Sequence, residues 1–187
     1  MAIINGYCAL SELKTYIGLS GSGQDDNLEN AINGASREID AFTGRFFYQE
    51  SATDKYFTPI SQYEIDVPDI STTTSLVVKT DTTDNGTHDT TLTINTDFVT
   101  KPFDAGNEVN GLQYQPITNI TILDRRSSER FEPSIVKNIK ITAKWGFSTV
   151  PQAIKQATFL QATRLFKRKD SPFAVYGNEQ TGTGELF

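Results

Sequence analysis

The residue types that most often act as nucleophiles, general bases or metal ligands are scarce in this sequence. It contains a single histidine, His88, and a single cysteine, Cys8. Zinc sites need a set of His and Cys ligands, and a catalytic triad needs a base beside its nucleophile. One cysteine also excludes an internal disulfide bond. We interpret Cys8 as a small apolar residue beside a helix start and His88 as a solvated loop residue.

The glycine-rich and acidic stretches do not form a phosphate-binding or acid–base motif. The segments GSGQDD (21–26) and GTGEL (182–186) lack the Lys-Ser/Thr pair of a phosphate loop. Asp25 and Asp26 are adjacent carboxylates, but capping of the helix that follows explains them without a general acid and base. The sequence therefore predicts neither nucleotide binding nor acid–base catalysis.

Residues 81–92 share part of their spacing with a calcium-binding loop. Its oxygen ligands and its glycine would be Asp81, Asp84, Asn85, Gly86 and Asp89. The last position is Leu92, where a calcium loop has a bidentate glutamate. We interpret the segment as a solvated turn between strands, and we predict no metal, no cofactor and no enzymatic activity for the chain.

Composition indicates an acidic soluble chain with a modest core. The 187 residues are 37% hydrophobic and carry a net charge of −6, with a pI near 4.8. We find no signal sequence at the start and no apolar run of about 18 residues, so we expect a cytosolic product with no membrane partner. The excess of acidic over basic residues argues against a surface that binds nucleic-acid phosphates.

Two segments near the start have helical periodicity. Residues 10–18 place Leu10, Leu13, Tyr16 and Ile17 on one face, and Gly18 is positioned to end the helix. The second helix is expected to start at Asp25 or Asp26 and to end at Gly44. Its predicted inner stripe is Leu28, Ile32, Ala35, Ile39 and Phe42.

A third, longer helix is predicted near the end of the chain. Thr149 is a plausible N-cap, Pro151 fits the first helical position, and Asp170-Ser171-Pro172 ends the helix. The predicted inner stripe is Val150, Ala153, Ile154, Ala157, Leu160, Arg164 and Leu165. Basic residues cluster at its end, at Arg164, Lys167, Arg168 and Lys169. These cations either complement the helix dipole or form a partner-facing patch.

The middle of the chain is β-rich. Short β-prone segments at 56–60, 75–80, 91–95, 117–123 and 135–147 are separated by polar turns, including Asn85-Gly86. In the last segment, apolar side chains alternate with polar ones except at Lys137, as expected of a sheet that packs on one side.

The order of elements predicts an α+β fold in which a small helical bundle carries an inserted antiparallel β-rich section. The expected parts are the N-terminal helices (1–50), the β-rich insertion (51–147), the C-terminal helix (148–169) and an extended tail (170–187). The tail is too polar and glycine-rich to pack alone, and it is expected to order on a partner.

Both ends of the chain resemble the phage head-tail connector, or adaptor, family. The segments YCALSELKTYIGL and DDNLENAINGASREIDAFTGRFF are similar to the opening pair of helices of that family. The segment KWGFSTVPQAIKQATFLQATRLFKRKDSPFAVYG (144–177) resembles its Trp-Gly turn, Val-Pro helix start, Leu-Phe-Lys-Arg helix end and Asp-Ser-Pro tail. Ala9 stands where a capping Ser or Thr is expected, and the middle is longer than in a minimal member.

The resemblance implies a structural virion protein, assembled in the host cytoplasm, that forms a ring beneath the portal vertex. Such a ring is commonly dodecameric, joins the portal to a downstream neck or tail protein, and leaves a channel through which DNA passes during ejection without specific binding. The residues expected to contact the portal or a neighbouring subunit are Arg164, Lys167, Arg168, Lys169, Ser171, Pro172, Phe173, Val175, Tyr176, Leu186 and Phe187.

Two other functions remain open from the sequence. The protein could be a different neck or tail completion protein. It could also be a carbohydrate-binding β module, in which exposed aromatic residues would form a sugar platform. The aromatic residues considered for that platform, which could equally be sheet core, are Tyr56, Phe57, Tyr63, Phe98, Phe103 and Tyr114.

Overall fold

The computed structural model describes residues 2–103, 105, 115–169, 175–177 and 184–186. The chain divides into two compact units: residues 1–44 with 152–187 form a helical unit, and residues 45–151 form a β unit. The predicted α+β class is confirmed, with the β-rich section inserted between helices from both ends of the chain. The elements in chain order are α1 (Leu10–Ile17), α2 (Asp25–Thr43), β1 (Thr53–Phe57), β2 (Glu64–Ile70), β3 (Val77–Thr80), β4 (Thr90–Leu92), β5 (Phe98–Lys101), β6 (Ile117–Ile122), β7 (Ile139–Ala143), α3 (Gln152–Arg168), β8 (Val175–Gly177) and β9 (Gly184–Leu186).

The helical unit packs α1, α2 and α3 around one apolar cluster. Both predicted helix ends are confirmed, because Gly18 and Gly44 adopt left-handed backbone angles (φ 69° and 66°) that favour glycine. Ala9 has no side chain that could cap α1. Its backbone N–H instead donates to Glu12 Oε2 (2.9 Å), so the Glu12 carboxylate supplies the hydrogen bond at the start of the helix. The buried members of the cluster are Cys8, Leu13, Leu28, Ala31, Ile32, Ala35, Phe159 and Ala162.

Two predicted helix starts are corrected by a residue or two. The N-cap of α2 is Gln24, so Asp25 and Asp26 lie in the first turn. Asp25 pairs with Lys14 at 2.7 Å (Nζ to Oδ1), which ties the start of α2 to α1. The third helix begins at Gln152, immediately after Pro151.

The predicted inner face of α3 is largely wrong, although Leu165 does pack against the core. The buried side chains are Thr158, Phe159 and Ala162, whereas Leu160 is 52% exposed. The alanines of the predicted stripe, at 153 and 157, and the basic Arg164 are also exposed. The physical reason is that alanines contribute little apolar area, so the helix turns to bury the larger Phe159 ring, which stacks on Tyr16 at 5.1 Å between centroids.

This orientation of α3 can be tested with two adjacent substitutions. Phe159→Ala should lower the free energy of unfolding by about 3 kcal/mol, since it removes a buried ring and leaves a cavity. Leu160→Ala should cost less than about 1 kcal/mol, because that side chain is half exposed. Urea denaturation followed by circular dichroism measures both, and equal losses would contradict the packing described.

The single thiol lies in the same cluster. Burial, followed by the negative charge of Glu12, raises the pKa of Cys8 to about 11. At pH 8 the thiolate population is therefore expected to be about 100-fold smaller than in the unfolded chain. Iodoacetamide should modify Cys8 at least about 100-fold more slowly in the native protein than in urea, and comparable rates would show that the thiol is accessible.

The β unit contains two antiparallel sheets, ordered β1-β7-β3-β4 and β2-β6-β5. The alternation predicted for the last strand is confirmed from Ile139 to Trp145. Before it, the strand prediction is wrong, because Lys137 has a φ of 58° and Val136 is exposed in a turn. Side chains from both sheets share one core: Ile65, Val67, Ile70, Val78, Leu92, Phe98, Ile117, Ile120, Ile122, Phe131, Ile139, Ile141, Ala143 and Trp145.

The Asn85-Gly86 signal belongs to a longer loop between β3 and β4. Asp81 at the start of this loop accepts hydrogen bonds from the backbone N–H groups of Thr83, Asn85 and Gly86. Burial alone would raise the pKa of Asp81, but these N–H donors outweigh it and lower the pKa. The carboxylate therefore organises its own loop, as expected of the predicted turn.

The two ends of the β unit lie side by side. Glu50 N–H donates to the carbonyl of Trp145 (2.9 Å), and Phe147 N–H donates to the carbonyl of Tyr48 (3.3 Å). The rings of Phe47 and Phe147 are 5.0 Å apart between centroids. We call these paired segments, residues 45–50 and 144–147, the stem of the β unit.

Candidate assembly interface

The basic end of α3 is exposed and only partly paired. Arg164, Lys167 and Arg168 are exposed, and they make no hydrogen bond or ion pair with the part of the chain that the structure describes. Lys169, just beyond the helix, differs: its Nζ contacts Gln24 Oε1 at 2.6 Å and lies 4.8 Å from the centre of the Phe166 ring. The cluster predicted from sequence therefore contains three exposed cations that have no charged partner among the described residues.

A groove opens between the first half of α2 and the end of α3, on the side of α3 opposite Arg164, Lys167 and Arg168. Its volume is about 220 Å³, and Ala31, Leu165 and Phe166 contribute its apolar part. The polar lining comes from two asparagines, Asn27 and Asn30, together with Lys169. The groove was not predicted from the sequence, in which Leu165 was assigned to the inner stripe of α3 and the other lining residues gave no signal. We refer to it as the α2–α3 groove.

The tail residues predicted to make contacts fall into two groups. Ser171, Pro172, Phe173 and Phe187 lie outside the described residues. The others lie in β8 and β9, whose antiparallel pairing places Val175 opposite Leu186 and Tyr176 opposite Glu185. The tail therefore includes a short hairpin, where the sequence indicated only an extended segment.

A second exposed surface lies on α2 and α3. Phe42, predicted to be buried, is 92% exposed, because α2 continues about two turns beyond its last buried residue, Ser36. Glu38 Oε2 accepts a hydrogen bond from Gln161 Nε2 (2.5 Å), and Phe42 lies one turn from Glu38 on the same side of α2. On α3, Leu160 neighbours Gln161, so both helices contribute an apolar side chain to this surface.

The aromatic residues of the β unit that the structure describes do not form a common platform. Phe98 is buried in the core, Phe57 packs against that core, and Tyr114 lies outside the described residues. Of the exposed rings, Tyr63 accepts a hydrogen bond at its backbone carbonyl from the N–H of Ile122, at the end of β6, whereas Phe103 follows Lys101, which pairs with Asn119 three residues earlier in β6. Tyr63 and the end of β5 that leads to Phe103 are therefore about 10 Å apart along the strands. Tyr56 lies in the other sheet, beside His88.

No catalytic or metal site is evident among the residues described. Within them, no group of three or more His, Cys, Asp and Glu side chains is arranged to hold a metal ion. His88 Nε2 contacts the carbonyl of Lys137 (2.9 Å), far in sequence from the buried Cys8. The helices in the described part of the chain include none that is long and apolar enough to cross a membrane.

The comparisons with known proteins show a similarity of fold to a solved structure. No family model matches the chain, and no curated protein matches it. Among solved structures, the chain is similar to a chain in the neck of an empty GTA particle computed with C6 symmetry. The TM-score is 0.51 and the identity 12%, over 89% of this chain and 81% of that chain. At this identity the similarity establishes a shared fold across most of both chains.

Proposed function

We propose that the protein is a structural subunit of the neck of a phage or phage-like particle, and specifically a head-tail connector that forms a ring beneath the portal. The observation that carries the proposal is the fold shared with a neck chain over most of both lengths. The candidate site adds exposed apolar and cationic surfaces of the kind that assembly requires.

The packing of the helical unit supports this assignment. The two stretches that carry the family resemblance stand at opposite ends of the sequence, with the β unit between them. In the fold, α1 and α2 from the first stretch pack directly against α3 from the second. Motifs that are weak individually thus belong to one structural unit, as expected if the family shares that unit and varies the insertion.

In the proposed assembly, the ring contains about twelve copies and contacts the portal on one side and a downstream neck or tail protein on the other. Twelve copies are compatible with sixfold symmetry. Arg164, Lys167, Arg168, Lys169 and the apolar residues of the tail contact the portal or a neighbouring copy. The net charge of −6 suits a lumen that repels DNA phosphates and lets the genome pass.

Mass photometry of the purified protein, alone and with the portal of the same particle, tests the proposal. We expect a species of about twelve subunits, formed either by the protein alone or only on the portal. A persistent monomer that ignores the portal would overturn the connector assignment.

A different neck or tail completion protein is the second candidate, since a neck contains more than one kind of component. The two candidates differ in the partner that they bind. Pull-down with isolated portal and with isolated tail separates them: binding to the tail alone would favour the completion protein.

A further inference from the structure

We propose that Asn5 is a site of spontaneous deamidation, and that the fold protects the other two Asn-Gly pairs that the structure describes. The chain contains four such pairs, at 5–6, 33–34, 85–86 and 110–111, of which the last lies outside the described residues. Asparagine is a thermolabile residue, and a glycine after it has no Cβ to hinder approach to the backbone nitrogen. The reaction does not require assembly, so the site stands apart from the proposed function.

Deamidation of an Asn-Gly pair joins the glycine backbone to the asparagine side chain. The glycine nitrogen loses its proton to solvent and attacks the side-chain carbonyl carbon, Cγ. A bond forms between that nitrogen and Cγ, the bond from Cγ to Nδ2 breaks, and Nδ2 takes up a proton and leaves as ammonia. Water then opens the cyclic imide at either carbonyl, which gives aspartate or isoaspartate without any oxidant or reductant. The rate therefore depends on how freely the glycine nitrogen can lose its proton and reach Cγ.

At Asn5-Gly6 both reacting groups are unrestrained. The exposed side chain of Asn5 and the N–H of Gly6 make no hydrogen bond with the part of the chain that the structure describes. Arg37 Nη2 donates to the backbone carbonyl oxygen of Asn5 (3.0 Å), in the same peptide group as the Gly6 nitrogen. A positive charge at this oxygen draws electrons from the peptide group and favours loss of the N–H proton. The pair thus combines an accessible Cγ with an activated nitrogen.

The segment before Gly6 can move without opening the core. The N–H of Ile4 donates to Asn33 Oδ1 (2.9 Å), and this bond and those from Arg37 are exposed to solvent. Exposed hydrogen bonds of this kind open at little cost, which allows the backbone of Asn5 to rotate for the attack. Gly6 itself is required by packing, because a Cβ there would lie 2.9 Å from Ile32 Cγ2 in the core. The fold therefore keeps a glycine where it makes Asn5 reactive.

Asn85-Gly86 is also exposed, but its nitrogen is held by a carboxylate. The N–H of Gly86 donates to Asp81 Oδ2 (2.7 Å), and the N–H of Asn85 donates to Asp81 Oδ1 (3.4 Å). A negative charge bound to the Gly86 N–H opposes loss of its proton, which is the reverse of the effect of Arg37. The side chain is also fixed, since Asn85 Oδ1 accepts a hydrogen bond from the N–H of Thr87 (2.7 Å). Asp81 is therefore a positioning residue that slows the reaction.

Asn33-Gly34 is protected by the helix that contains it. Gly34 lies inside α2, where its N–H is bonded to the carbonyl of Asn30. The Asn33 side chain is held as well, because it accepts the hydrogen bond from Ile4 and its Nδ2 donates to the carbonyl of Ala2 (3.2 Å). Reaction at this pair requires the helix to open. Three identical dipeptides are thus placed in environments that differ in charge and in hydrogen bonding.

Peptide mapping by mass spectrometry during incubation of the full-length protein tests this order. The protein is kept at neutral pH with and without guanidinium chloride, and conversion of each asparagine to the acid is followed with time. We expect Asn5 to react within about threefold of its rate in the denatured chain. Asn33 and Asn85 should react at least about tenfold more slowly in the native protein than in the denatured chain. A native Asn5 that reacts as slowly as Asn33 would overturn the site.

Two substitutions in the β3–β4 loop test the protection by Asp81. Asp81→Ala should raise the rate at Asn85 at least about tenfold and leave the rate at Asn5 unchanged. Asp84→Asn removes a charge from the same loop at an exposed position with a φ of 55°, which asparagine tolerates, and should change the rate at Asn85 by less than about twofold.

The outcomes of the two substitutions are distinct. Equal acceleration by both would show that loop charge, and not the hydrogen bond to Gly86, sets the rate, and it would overturn the role of Asp81. An unchanged rate in Asp81→Ala would overturn that role as well. If the fluorescence of Trp145 shows that Asp81→Ala does not fold, Asp81→Asn keeps the shape of the side chain, loses its charge and supplies the same comparison.

Discussion

Replacing Gly146 by alanine is expected to lower the free energy of unfolding by more than about 3 kcal/mol, the largest loss that we predict for a single methyl group. Gly146 has a φ of 89°, a conformation that L side chains rarely adopt. A Cβ at this position would lie 1.9 Å from the carbonyl oxygen of Tyr48, so the backbone of the stem must move. That movement breaks the hydrogen bond from Gly146 N–H to the carbonyl of Asp69 (2.7 Å).

Gly86→Ala is the matched control. Gly86 also has a positive φ, 78°, but a Cβ there would meet no atom within 4 Å. The substitution should therefore cost only the backbone strain, about 1 kcal/mol. Both variants can be followed by the fluorescence of Trp145, the single tryptophan, which is buried next to Gly146. Similar losses for the two variants would show that the close approach at Tyr48 does not constrain the stem.

Removing residues 170–187 is expected to abolish assembly while leaving the helical unit folded. The described core of that unit ends at Ala162, with Leu165 and Phe166 packed against it, so the truncation removes none of it. The melting temperature should change by less than about 2 °C, as for a surface change. At concentrations where the full chain forms a ring, no ring and no portal complex should be detected by mass photometry.

A full-length control distinguishes loss of the apolar residues from loss of length. Val175, Tyr176 and Leu186 can be replaced together by serine, which keeps the chain length and the carboxylates. If apolar contacts contribute to assembly, this variant should assemble only at higher protein concentrations than the unchanged chain. A truncated chain that unfolds would show instead that the tail is part of the core.

The helices were predictable because their signals are local. Gly18 and Gly44 mark ends that need a left-handed backbone, and the buried positions of α2 from Leu28 to Ala35 follow the helical period. The face of α3 was not predictable in the same way. Alanines lie on two sides of α3, so only the tertiary environment decides whether Phe159 or Leu160 is buried.

The sheets show a similar limit. Strand β2 was not among the segments identified, because acidic residues and Pro68 interrupt its apolar pattern. As the edge strand of the sheet β2-β6-β5, it tolerates a proline that a central strand would not. The order β1-β7-β3-β4 joins strands that are distant in sequence, so no local pattern specifies it.

In the candidate site, too, features with a local sequence signal were predictable and features created by the fold were not. The basic cluster at Arg164, Lys167 and Arg168 was predictable, since cations at the end of an exposed helix are visible in the sequence. The α2–α3 groove was not, because it exists only where two helices distant in sequence meet. The exposure of Phe42 was missed for the related reason that periodicity does not tell how far a helix extends beyond its neighbours.

The stem has a consequence for how this chain can vary. Since residues 45–50 and 144–147 run side by side and are joined by backbone hydrogen bonds, the polypeptide leaves the β unit close to where it entered. Everything between those points is a closed loop with its own core. Such a cassette can be lengthened, shortened or exchanged without changing the distance that α2 and α3 must span. A lineage that keeps the helical scaffold is thus free to acquire new β modules, and with them new neighbours.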